Sequence, residues 1–192
     1  MMKKINQIIA YTLLGVVLLG LVLTAILKKD FSPNIDLSKG EIFIEEKGSG
    51  AKYDGLTSKE EKVYNEFVKT YNDSFKLTIL YSVFSGKISR KQEIENYGKD
   101  APTFSSGYVV EINFGESQTL KSNGKVYYES VNSDTPTLYK KAFFVVEDGK
   151  GLTTKYIYFR SEANRYYRLT TLANFDELYK NINQMDMFKT AE

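Results

Sequence analysis

Hydrophobic and polar positions are arranged along this chain in three different ways, and each predicts a different kind of element. In the first, polar residues are nearly missing: residues 8–27 read IIAYTLLGVVLLGLVLTAIL, with no charge from Ile8 to Leu27. As a helix rising about 1.5 Å per residue, that run covers the roughly 30 Å hydrocarbon core of a bilayer. A single segment crosses lipid only as a helix, because a helix satisfies its backbone hydrogen bonds internally. Lys3 and Lys4 on one side and Lys28 and Lys29 on the other mark the ends of a span rather than of a core helix. A cleaved signal usually has an apolar stretch of ~7–15 residues followed by a small-residue site. Here the run is longer and Ala25-Ile26-Leu27-Lys28 is no such site, so an uncleaved anchor is expected. The flanking lysines almost balance, but a tail as short as residues 1–7 normally stays in the cytoplasm, which sends the rest of the chain across. Gly15 and Gly20 lack GxxxG spacing, so no glycine-driven pairing of the span is expected.

The second arrangement is a repeat of about four. Thr57, followed three residues later by Glu60, spells a capping box. Behind it Val63, Phe67, Tyr71, Phe75, Ile79 and Val83 recur at every fourth position, and Tyr64 and Val68 widen the stripe. An amphipathic helix from Ser58 to Ser85 is predicted, closed by Gly86. Asn72-Asp73-Ser74 is where it would break, and Phe75 to Phe84 is rich enough in β-branched and aromatic residues to fit a strand as well. Ser89 with Gln92 repeats the capping pattern and predicts a short helix ending near Gly98. Asn174 with Glu177 predicts a closing helix that carries Phe175, Leu178, Tyr179 and Ile182 on one face.

The third arrangement has a period of two. Glu41 to Glu46 places Ile42 and Ile44 on one side, and Tyr108, Val110, Ile112 and Phe114 alternate with Val109, Glu111 and Asn113. Asn123-Gly124 is the strongest hairpin signal, since both residues tolerate the positive φ of a type I′ turn; it is expected to join 117–122 to 125–130. A second pair, 138–147 and 152–160, surrounds Asp148-Gly149-Lys150-Gly151, and a last strand over 166–171 follows the polar turn Glu162-Ala163-Asn164-Arg165. Lys47 to Gly55, with three glycines, reads as a loop. Together these elements predict an α+β fold: an N-terminal transmembrane helix, then helices packed on a curved antiparallel sheet in meander order, with a short C-terminal helix. The expected division is a tail at 1–7, the span at 8–27, a stalk at 28–40, the α+β domain at 41–184 and a flexible tail at 185–192.

Composition narrows the chemistry. The chain has 192 residues, 42% of them hydrophobic and 26% charged, which is the balance of a folded domain. It contains no Cys, no His and no Trp. That excludes disulfides, a thiol nucleophile, and the commonest general base and zinc ligand. A net charge of only +2 gives no reason to expect a nucleic-acid partner. Ser49-Gly50-Ala51-Lys52 and Ser122-Asn123-Gly124-Lys125 spell Ser-x-x-Lys, but a lysine base must be desolvated and both stretches read as solvated turns. Gly48-Ser49-Gly50 lacks the third glycine of a dinucleotide loop, and Asp148-Gly149-Lys150-Gly151 lacks the alternating oxygens of a calcium loop. No catalytic residue, cofactor site or metal site is expected.

The fifteen tyrosines change the picture most. Neighbours on a strand point to opposite faces, so Tyr127-Tyr128 and Tyr166-Tyr167 each send one ring outward. Tyr139, Lys141, Lys155, Tyr156, Tyr158, Arg160, Tyr167 and Arg168 are the residues expected on a basic, aromatic sheet surface, with Lys140 and Arg165 beside them. Rings of this kind stack on apolar faces while Arg and Lys take up charge. The expectation is a non-enzymatic, single-pass membrane protein, anchored in the bilayer through residues 8–27, whose extracytoplasmic domain contacts another envelope protein. The alternative is a module that binds or senses a small molecule or glycan on the tyrosine-rich surface.

Overall fold

The computed structural model describes residues 2–27, 32–56, 61–75, 93–122, 124–130, 134–148 and 152–185. The apolar N-terminal run forms one helix, α1 (Met2–Leu27). Its stretch Lys4–Val22 has a mean hydropathy of 2.1, and none of that window is buried. Length and composition make it a helix able to cross a membrane, and they equally suit a signal sequence.

Period-two patterning produces one sheet of seven strands. These are β1 (Gly40–Glu46), β2 (Lys52–Leu56), β3 (Glu93–Gly98), β4 (Tyr108–Thr119), β7 (Leu138–Val146), β8 (Leu152–Ser161) and β9 (Tyr166–Asn174). Their spatial order is β2-β1-β4-β7-β8-β9-β3, and every neighbouring pair is antiparallel. A separate short hairpin pairs β5 (Lys121–Ser122) with β6 (Lys125–Val126) around Gly124, whose φ is +74°. A hairpin therefore forms where expected, on shorter arms; Asn123 itself lies outside the described residues. Residues 118 and 119 instead extend β4 and pair with Tyr139 and Leu138 of β7.

Alternation decides which face is buried. Ile42 and Ile44, Tyr108 through Phe114 at every second position, Ala142, Phe144 and Val146, Ile157 and Phe159, and Tyr167 and Leu169 all turn to one side and are buried. Among the described residues, two helices cover that side, α2 (Glu61–Ser74) and α3 (Asp176–Asn183). Tyr64, Phe67 and Tyr71 come down from α2 and Phe75 from the turn that ends it, and Leu178 and Ile182 from α3, with Phe175 at its start. Ring contacts lock the layers: Tyr71 lies 5.6 Å from Phe144, and Phe144 lies 5.4 Å from Phe175. The Asn181 amide donates to the Thr70 hydroxyl at 2.7 Å and ties α3 to α2. Phe175, not Asn174, is the N-cap of α3 and makes no side-chain cap bond; one residue earlier, the Asn174 side chain accepts the Asp176 N–H at 3.0 Å.

Several elements differ from the sequence expectation. Residues 93–98, expected to end a helix, form the edge strand β3, because β9 offers it a ladder and Ile94 lies opposite Leu169. The glycine-rich stretch expected as a loop contains β2, which pairs with β1 across a bulge near Gly55, a residue at φ +78°. α2 ends at Ser74, at the Asn72-Asp73-Ser74 break, with Phe75 in a turn. Val63, expected on its buried stripe, is 40% exposed while Tyr64 is buried. Within the segment read as a stalk, Leu37 packs into the core, and Asp36 accepts the Ser38 N–H to start a short 3₁₀ turn at Leu37–Lys39. The proposed caps at Thr57, Glu60, Gly86, Ser89 and Gln92, and the helix-or-strand choice after Phe75, lie outside the described residues.

One connection shapes the other side of the sheet. β3 sits at an edge, whereas β4, the next strand in the chain, sits four positions further in, with β9, β8 and β7 between them. Residues 99–107 therefore cross over β9, β8 and β7 on the face away from α2 and α3. Gly107 ends this strap at φ +80°, where a Cβ would stand 2.5 Å from the Val146 carbonyl oxygen. Only glycine fits there without shifting the backbone. Its own carbonyl accepts the Lys47 N–H at 2.9 Å, and Ser106 donates its hydroxyl to Glu147 at 3.0 Å.

Candidate functional site: the strapped face of the sheet

Residues that alternate with the core build this second face. Its middle row runs Glu111, Phe143, Tyr158, Arg168, Glu95 across β4, β7, β8, β9 and β3, each a direct strand partner of the next. Phe143 and Tyr158 stack with ring centroids 5.5 Å apart and planes 16° from parallel. The strap lays Phe104 on them, 6.3 Å from Phe143 and 5.8 Å from Tyr158, edge to face in both cases. Tyr97 and Tyr166 approach edge-on, at 5.3 Å from Tyr158 and 5.9 Å from Phe143 respectively. Offset and edge-to-face pairs like these each contribute about 0.5–1.5 kcal/mol beyond the area they bury.

Charge is arranged around the rings. Arg168 gives two nitrogens, Nε and Nη2, to the same Glu95 oxygen at 2.7 Å. Its guanidinium also lies 4.8 Å from the centroid of Tyr156 and 5.8 Å from that of Tyr97, so a single cation braces two exposed rings. The hydrogen bond that Arg168 donates to Glu95 is the main reason its own pKa is raised. Burial raises that of Tyr158, helped by Tyr97 and opposed by Arg168. Tyr97 remains 41% exposed and Tyr156 38% exposed, which leaves ring surface available to a partner. On the other flank Lys141 contacts Glu111 at 2.5 Å, and Arg160 donates to the Asn164 side chain at 3.0 Å.

The strap divides the face into two open hollows. One, of about 320 Å³, is lined by Thr103, Ser105, Ser106, Tyr156, Tyr158 and Lys155, among others. The second, of about 380 Å³, has Val109, Phe143 and Tyr166 below, Pro102 and Phe104 beside, and Lys47, Lys141 and Arg160 around it. Among the described residues, no group of three or more His, Cys, Asp or Glu is placed to hold a metal ion.

Of the eight residues singled out by sequence, the structure brings Lys141, Tyr156, Tyr158, Arg160 and Arg168 to this face. Tyr139 lies on the helix side instead, buried between Phe114 and Phe159 at 5.7 and 4.8 Å, because a bulge between Tyr139 and Lys141 reverses the alternation there. Tyr167 is also in the core, 5.5 Å from Tyr127. Lys155 borders the smaller hollow and lies 6.0 Å from the core ring of Phe175. Sequence reasoning missed Tyr97, Phe104 and Phe143. A signal for Phe143 exists in Ala142-Phe143-Phe144-Val145-Val146, which is apolar at both parities as in a strand covered on both faces. Phe104 had none, since a lone ring in an aperiodic loop carries no pattern. No family model, curated protein or solved structure matches this chain.

Proposed function

We propose that this protein is a non-enzymatic, single-pass membrane protein whose extracytoplasmic domain binds another protein, as an assembly or regulatory subunit of an envelope complex. One observation carries the reading: an open aromatic face whose exposed rings, Tyr97 and Tyr156, are braced by the Arg168–Glu95 pair. Rigid tyrosines beside an arginine are the residue types that dominate protein interfaces, since they offer large contact area with little conformational entropy to lose. The hollows are open to the surface rather than enclosed, which suits a partner surface better than a buried small substrate. The chain's lack of His and Cys supports binding over chemistry. In this reading α1 is a retained anchor, and the sheet curves around the helices where β4 is kinked. Four β4 residues between Asn113 and Gln118 face a single residue of β7, and Gly115 lies within that kink.

Photo-crosslinking tests the reading. Benzoylphenylalanine placed at Tyr97 or Tyr156 of the full chain, in its native membrane, is expected to give a discrete heavier adduct. The same probe at Lys69, exposed on α2, is expected to give none. Equal labelling from both faces, or no adduct from either, would sink the proposal.

A further inference from the structure

The larger hollow has a chemistry of its own. Its lower surface is apolar, made by Val109, Phe143 and Tyr166, and the strap walls it with Pro102 and Phe104. Three cations and one anion line it: Lys47, Lys141 and Arg160 against Glu111. Two of the cations are already neutralised, Lys141 by Glu111 at 2.5 Å and Lys47 by Glu45 at 2.8 Å. Arg160 differs. Its contact is the neutral Asn164 side chain, and among the described residues it has no carboxylate within ion-pair distance. That contact uses one terminal nitrogen, Nη2, of a group with five N–H donors. An aromatic slot whose rim carries a guanidinium that no described carboxylate pairs is complementary to a group that is apolar at one end and anionic at the other.

We propose that this hollow receives an aromatic side chain of the partner protein together with an adjoining carboxylate, the ring on Phe143 and Tyr166 and the carboxylate on Arg160. This rests on the protein-binding reading above and names the chemistry of the partner at that face. A planar guanidinium takes a carboxylate in a two-bond fork, and such charge-assisted bonds are about twice as strong as neutral ones. The floor supplies area and the arginine supplies selection. A neutral ring forfeits the charge-assisted bonds, and an acidic residue without a ring leaves the slot unfilled.

The chain contains four arginines, at positions 90, 160, 165 and 168, so side-chain Nε signals of ¹⁵N-arginine-labelled full-length protein in nanodiscs are few enough to resolve. N-acetylphenylalanine, a ring bearing a carboxylate, is the probe, and N-acetylphenylalanine amide is its neutral match. The acid is expected to shift the Arg160 signal saturably, with the amide about tenfold weaker, equivalent to ~1.4 kcal/mol. Arg160→Gln is expected to abolish the preference for acid, while Arg165→Gln leaves it intact. Both positions are exposed, so both variants are expected to fold, and unchanged remaining arginine signals verify it. Equal affinity for acid and amide, no saturable shift, or a preference that survives Arg160→Gln overturns the proposal. If that happens while crosslinks at Tyr97 persist, the binding face stands and only its carboxylate chemistry falls.

Discussion

Individual residues behave here according to the face on which alternation places them, and tyrosine shows it best. Tyr139 and Tyr156 have the same side chain on adjacent strands, yet one is 3% exposed and the other 38%. Burial, together with the nearby Asp36 charge, raises the Tyr139 pKa to about 12, whereas an unfolded chain releases that proton near 10. The folded state thus holds the proton more tightly. Its contribution is fully present below pH ~10 and is lost as pH rises toward 12, up to about 2–3 kcal/mol. Denaturation midpoints measured at pH 9 and pH 11.5 should therefore drop, and Tyr139→Phe should reduce the drop. A variant that loses stability as steeply as the parent would show that Tyr139 ionises freely. Which tyrosines are of which kind was only partly legible in the sequence. Tyr108 and Tyr158 follow their strands' alternation, but the bulge beside Tyr139 inverts it, and bulges depend on the partner strand.

Among elements, α2 shows how far a repeat can be trusted. Residues spaced by four advance 400° around a helix of 3.6 residues per turn, so a strict four-residue stripe drifts about 40° with each step. Over Val63, Phe67, Tyr71 and Phe75 the drift reaches roughly 120°, too wide for all four to share one contact face. Phe67, Tyr71 and Phe75 keep the core, and at the N-terminal end Tyr64 takes the seat expected for Val63. Tyr71 contacts Phe67, Phe75 and Phe144, joining helix to sheet. Tyr71→Ala is expected to cost ~3–5 kcal/mol in denaturant unfolding, as large-to-small core changes do. Val63→Ala, by contrast, should fall within about 0.5 kcal/mol. Similar losses from the two would mean that α2 does not pack as described.

For the whole molecule, the apolar helix α1 and the strapped sheet raise separate questions. With α1 as a retained span, the full chain is expected to stay in the membrane pellet after alkaline carbonate extraction, and protease added to intact cells should digest the outer domain. Release by carbonate, or a mature protein lacking residues 1–27, would mark α1 as a signal sequence. The apolar helix, β4 and the β7–β9 run were readable from residues alone, because their buried faces are written into their own period. The edges β2 and β3, the strap, and the places of Tyr97, Phe104 and Phe143 on the aromatic face were not. An edge strand draws half its hydrogen bonds from one neighbour and leaves its other side unconstrained, so Glu93–Gly98 carries no decisive pattern until β9 lies beside it. The face exists because the chain must return from β3 to β4 across three strands. That route is a property of strand order, which local hydrophobicity does not encode.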